Sequence, residues 1–88
     1  MEMIKGTESK QDALVRVEDC LSPLTIEIKS PLEDLYGKSI LKAASGELEA
    51  LNVTTGKVIV EDRQALDFVI RARIKAAVMA LREAGGEI

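Results

Sequence analysis

Between Val58 and Leu81 the apolar period of the chain changes once. Val58, Ile59 and Val60 make a β-branched run bounded by charge, which reads as a short, well-buried strand. Leu66, Ile70, Ile74, Ala77 and Leu81 then recur at three- and four-residue steps and draw one apolar stripe down a helix of about five turns. Asp62 stands where a carboxylate can accept orphan amides at the helix start, against the positive end of the helix dipole. Asp67 and Arg71 form an i,i+4 pair off the stripe, and Gly85-Gly86 supplies the stop. A strand that feeds a helix with a single apolar stripe must pack that stripe back onto a sheet, which confines the chain to layered α and β structure.

The preceding residues fit the same frame. Ala13, Val15 and Val17 alternate with Leu14, Arg16 and Glu18, and Leu24, Ile26 and Ile28 alternate with Thr25, Glu27 and Lys29, so two strands are expected over 12–18 and 24–29. Asp19 to Pro23 has turn chemistry and would join them as an antiparallel hairpin. Ser30-Pro31-Leu32-Glu33 is a helix start, with Ser30 as cap and Glu33 at the capping-box position. The stripe Leu32, Leu35, Tyr36, Ile40, Ala43, Ala44, Leu48 and Leu51 carries that helix over 31–51. A third strand over 57–61 and a last helix over 63–84 complete the order β-β-α-β-α. The fold class expected is α+β, a two-layer sandwich whose mixed three-stranded sheet has both helices on one face, with a right-handed crossover if the second and third strands are parallel. Residues 1–11 are polar or charged at most positions and read as a flexible leader, leaving 12–88 as a single domain.

Composition excludes several classes of function. At 88 residues there is one core, and with Tyr36 and Phe68 as the only aromatics it must be aliphatic. The net charge of −3, with basic residues spread among acidic ones, and the lack of stacking platforms argue against nucleic-acid binding. No histidine is present, which removes the commonest general base and most zinc and copper ligation, and Cys20 is the only cysteine, so no internal disulfide can form. No apolar run approaches the roughly 18–20 residues of a membrane span, and Met-Glu-Met-Ile-Lys lacks the apolar core of a signal peptide, so a cytoplasmic protein is expected.

Few residues offer chemistry of their own. Gly37-Lys38-Ser39 has the end of a phosphate-binding loop, but Leu32 stands where that loop needs its first glycine, so a helix surface is the reading. The carboxylates Glu33-Asp34, Glu47, Glu49 and Glu61-Asp62 suit helix first turns and solvated faces. Cys20 has no basic cluster beside it in sequence and reads as an inert thiol. Arg71, Arg73 and Lys75 read as a solvated helix flank, or as cations that meet an acidic surface or phosphates. Gly6-Thr7-Glu8-Ser9-Lys10-Gln11-Asp12 is an exposed polar run leading into a strand, with Ser9 as its hydroxyl and Lys5 and Lys10 nearby.

The C-terminal pattern, a strand, a short polar turn, then Ala65-Leu66-Asp67 and Ile70-Arg71-Ala72-Arg73, resembles the signature of the citrate lyase acyl carrier subunit, the gamma chain. The Leu24–Ile28 strand, Leu35-Tyr36-Gly37 and the leader segment extend the likeness over nearly the whole chain. In that family the leader usually reads Gly-Thr-x-Glu-Ser-x-Asp; here Gly6, Thr7 and Asp12 keep their places, while Glu8-Ser9 stands one position early and Lys10 fills the serine slot. The resemblance implies a carrier that is no enzyme by itself. Ser9 would bear, through a phosphodiester, a prosthetic group derived from 2'-(5''-triphosphoribosyl)-3'-dephospho-CoA, whose thiol holds acetyl or citryl groups. Its implied partners are the alpha (transferase) and beta (lyase) subunits, which turn citrate into acetate and oxaloacetate and of which the lyase subunit would hold the divalent metal, together with a prosthetic-group transferase and an acetylating ligase. Two other readings stay open: the acyl carrier of malonate decarboxylase, and an assembly subunit without a prosthetic group. The four-helix acyl carriers with an Asp-Ser-Leu attachment triplet are a different class, since that triplet is absent here.

Overall fold

The computed structural model describes residues 1–88, the side chain of Glu33 excepted. The elements run β1 (Glu2–Gly6), β2 (Ala13–Pro23), β3 (Thr25–Lys29), α1 (Glu33–Ala50), β4 (Thr55–Asp62) and α2 (Asp67–Glu83). The class is the expected α+β, with a mixed sheet and both helices on one face. The sheet, however, has four strands in the order β1-β2-β4-β3.

Register explains the single core. β2 and β4 pair antiparallel with Val15 opposite Val60 and Val17 opposite Val58, and β3 runs parallel to β4 with Ile26 beside Val58 and Ile28 beside Val60. Because side chains alternate between sheet faces, all of these fall on one face. α1 covers it with Ile40, Ala43, Ala44 and Leu48, and α2 with Ile70, Ile74, Ala77, Val78 and Leu81. Each of these Ile, Leu and Val side chains removed from water stabilises the fold by about 1.5–3 kcal/mol before entropy is counted, and each alanine by less. Both helices close with a Schellman motif: Asn52 (φ 60°) and Gly85 (φ 93°) take the left-handed position, while Val53 and Gly86 donate back to the Leu48 and Leu81 carbonyls.

Four expectations are corrected. The strands over 12–18 and 24–29 do not form a hairpin; β4 lies between them, because Asp19–Pro23 continues β2 past a register shift instead of turning back. The expected leader over 1–11 contains β1, paired along its length with β2 from Glu2 opposite Glu18 to Gly6 opposite Leu14. Its sequence alternates poorly because it is an edge strand, so only one of its sides needs a partner. Asp62 caps the turn after β4, accepting from the amides of Gln64 (3.1 Å) and Ala65 (2.9 Å), and α2 starts only at Asp67. Ser30 likewise acts before α1, accepting from the Leu32 amide at 3.2 Å, with Leu32 as the N-cap. The proposed capping box falls on the side chain of Glu33, outside the described residues.

The topology gathers the chain's connections at one end. The parallel strands β3 and β4 finish side by side, Lys29 against Glu61, and each feeds a helix. Ala13 is opposite Asp62, so the β1–β2 turn (7–12) lies at this same end. Neither helix N-cap, Leu32 or Leu66, contributes a side-chain hydrogen bond, which leaves the first-turn amides of both helices without that form of cap. Among the described residues no helix is long and apolar enough to cross a membrane.

Candidate functional site

The turn that holds Ser9 is fixed by its flanks. Gly6 enters it at φ 99°, and a Cβ there would collide with the Ala13 carbonyl oxygen, so only glycine fits. Asp12 leaves it as the hub of a network. Its Oδ1 accepts from the Ala13 amide (2.7 Å) and Arg73 Nε (3.1 Å), and its Oδ2 accepts from the Thr7 hydroxyl (2.6 Å) and Arg73 Nη2 (3.0 Å). The Arg73 guanidinium first, and the Thr7 hydroxyl second, hold the Asp12 carboxyl far below the usual carboxylate range. Thr7 Oγ1 in turn accepts from the Ser9 amide at 3.2 Å, and the Asp12 amide donates to the Ser9 carbonyl at 3.1 Å.

A second clamp comes from the backbone between β4 and α2. Gln11, in the left-handed region at φ 66°, donates to the Arg63 carbonyl at 2.7 Å, and Arg63 donates to the Asp12 carbonyl at 3.0 Å. The Ser9 turn is thus seated on the β4–α2 connection. Ser9 itself is exposed between these clamps, and among the described residues its hydroxyl has no hydrogen-bond partner. An unengaged hydroxyl on an anchored turn can be reached and alkylated, acylated or phosphorylated without disturbing the core.

Cations flank it unevenly. Glu8 and Lys10 line a shallow hollow of about 330 Å³ with Pro31, Arg63 and Gln64. Lys5, expected beside Ser9, lies in β1 opposite Val15 and is not part of that hollow; Arg63 takes the place expected for it. Gln64 also lines a neighbouring cleft of about 410 Å³, which opens between the first turns of α1 and the segment from Asp62 to Ile70. Leu32, Tyr36, Ile40, Ala65 and Ile70 give the cleft its apolar walls.

Both carboxylates at the cleft are already engaged, Asp62 by two amides and the Ser30 hydroxyl (3.3 Å), Asp67 by Arg71 at 2.9 Å. The remaining sequence candidates are not brought to this end as reactive groups. Gly37-Lys38-Ser39 lies inside α1, and Cys20 sits near the far end of β2, about seven residues or roughly 23 Å along the strand from Ala13. Among the described residues no three His, Cys, Asp or Glu side chains gather as a metal site. Of the basic flank, Arg71 pairs with Asp67, and Arg73 reaches Asp12 across 61 positions. The roles of Arg73 and Arg63 were not visible in sequence. Both depend on pairings between distant segments, and only the retained Gly6, Thr7 and Asp12 hinted that the turn has a fixed frame.

The family model described as malonate decarboxylase delta subunit (MdcD) matches residues 1–81. The citrate lyase acyl carrier protein of Cronobacter sakazakii is 39% identical over 83 residues, covering 94% of this chain and 86% of the relative. That of Escherichia fergusonii is 36% identical with 94% and 91% covered, and that of Haemophilus influenzae is 41% identical with 86% and 79% covered. No solved structure is a significant match. On these matches the chain belongs to the acyl carrier protein family of the citrate lyase carriers and the malonate decarboxylase delta subunit.

Proposed function

We propose that this chain is the acyl carrier, or gamma, subunit of a citrate lyase complex and that Ser9 is where its prosthetic group is attached. The observation that carries the reading is an exposed, unengaged hydroxyl on a turn clamped by the Asp12–Arg73 pair and the Arg63 backbone. The residues present fit a phosphoribosyl-dephospho-CoA group joined by phosphodiester. Ser9 supplies the ester oxygen, Lys10 and Arg63 supply positive charge in the adjoining hollow against the single carboxylate of Glu8, and Asp12, at the end of the turn, is paired with Arg73. The bound group would supply a terminal thiol, on which acetyl is exchanged for citryl with release of acetate, and from which cleavage to oxaloacetate restores acetyl.

The chain's own contribution is positional. By holding one end of a tether at a fixed turn, it makes transfer between a transferase and a lyase active site effectively intramolecular. Catalytic groups and the divalent metal belong, on this reading, to the alpha and beta subunits, while a prosthetic-group transferase and an acetylating ligase load the arm in the cytoplasm. A malonyl cargo is the second reading, favoured by the malonate decarboxylase description of the matching family model. An armless assembly subunit is the third, favoured by Lys10 in the serine slot. Intact and peptide mass of the protein from its native host separates them. Expected is an increment on the peptide containing Ser9, lost in Ser9→Ala together with complex-dependent citrate cleavage. An unmodified Ser9 overturns the assignment, and a malonyl adduct moves it to the decarboxylase.

A further inference from the structure

We infer that the arm borne on Ser9 folds back over its own carrier, its phosphates in the hollow of Lys10 and Arg63 and its thioester end in the apolar cleft between α1 and α2. The inference rests on the reading of Ser9 above, and three independent features of the fold support it.

The first is continuity. Ser9 lies between the two residues, Glu8 and Lys10, that line the hollow, the turn is hydrogen-bonded to Arg63 in its wall, and Gln64 is common to hollow and cleft. A group tethered at Ser9 therefore meets the hollow first and, across Gln64, the cleft next. The second is charge. Lys10 and Arg63 face the anionic part of the arm, and the first turns of both helices, lacking side-chain caps, present the positive ends of their dipoles to the same region. Asp62 and Asp67, which would repel an anion, are committed to amides and to Arg71, and Glu8, which also lines the hollow, is outnumbered there by Lys10 and Arg63.

The third feature is apolar surface without a partner. The stripes of both helices run past the sheet at this end. Leu35 is 74% exposed, Tyr36 53% and Leu66 63%, although the same stripes are fully buried a turn later. Phe68, the only other aromatic residue, is 67% exposed on the first turn of α2. A core able to bury aliphatic residues so completely leaves both aromatics in solvent, and one of them, Tyr36, lines a cleft whose volume falls within the about 300–1,000 Å³ usual for small ligands. The occupant that the tether delivers there is the arm in its acetyl form, whose end is uncharged where a citryl end carries carboxylates, and parking it would shield the acetyl thioester from water between visits to partner sites.

The test compares the chain purified from its native host, with its arm, and the same chain made without it. Peptide mass first establishes whether Ser9 is modified. Expected in the loaded chain are a changed emission from Tyr36, the only fluorescent side chain of its kind here, and shifted methyl resonances of Ile40 and Ile70. A kinetic readout uses a Cys20→Ser background, hydroxylamine to free the arm thiol, and iodoacetamide as a neutral probe. If the arm is parked nine-tenths of the time, alkylation is slowed about tenfold, and Ser39→Trp, which fills the cleft from an exposed helical position, restores the faster rate. A modified Ser9 with spectral changes confined to residues 7–11 and no effect of Ser39→Trp overturns the parking inference and leaves the carrier assignment standing. An unmodified Ser9 overturns both.

Discussion

Gly6 and Asp12 hold the Ser9 turn by different physics, and substitutions separate them. At Gly6 the constraint is steric: φ 99° and the Ala13 carbonyl leave no room for a Cβ, so Gly6→Ala should cost at least about 2 kcal/mol in urea melts, well above an ordinary surface change. At Asp12 the constraint is electrostatic. Its folded pKa lies below its unfolded value of about 3.9, so the ionised carboxylate stabilises the fold fully above that pH, and the stabilisation is lost as pH falls toward the folded value. The gap in stability between the protein and Asp12→Asn should therefore be largest at pH 7 and shrink as the pH is lowered through about 3.9 toward 2.5. A gap that stays constant over that range would mean that Arg73 does not select the charged form. Arg73→Ala, which removes a half-exposed partner, should cost about 1 kcal/mol at neutral pH.

At the scale of elements, the helix faces decide stability. Ile70 is 2% exposed in the middle of the α2 stripe, so Ile70→Ala should cost on the order of 2–5 kcal/mol, whereas Lys75→Ala on the solvent side should stay within about 0.5 kcal/mol. Equal shifts in denaturation midpoint would refute the face assignment. Both helices, β3 and β4 were legible because their apolar periods are local and each buries one face or stripe. β1 was not, since Met-Ile-Lys at an edge shows no alternation and becomes a strand only through its pairing with β2. The hairpin expected at Asp19–Pro23 failed for the same reason: turn-forming residues there are tolerated at a bulged strand end, and which strand lies next to which is decided by long-range burial. At the candidate site, the exposure of Ser9 was legible from its polar run. Arg73, Arg63 and the cleft were not, because nothing local marks a contact made across the sheet.

For the whole molecule, the proposed function divides labour between a rigid scaffold and a tether point at Ser9, and that division can be tested by moving the tether. The bonds that shape the turn use the Ser9 backbone, the Thr7 and Asp12 side chains and the backbone at Gln11, and none uses the side chain at position 9 or 10. The double substitution Ser9→Lys, Lys10→Ser should therefore leave stability within about 0.5 kcal/mol of the parent, as for other exposed changes. It also restores the serine position usual in the resembling carriers while keeping one cation and one hydroxyl in the turn. Since adjacent positions differ in reach by only about 3.5 Å, a tethered arm should absorb the shift, and the double variant should be loaded at position 10 and support citrate cleavage at a rate close to the parent. Peptide mass and complex-reconstituted cleavage check the two halves separately. Loading without cleavage would mean that the direction in which the turn presents the arm matters as much as its length, and failure of loading with the fold intact would assign recognition by the attachment enzyme to Ser9 itself.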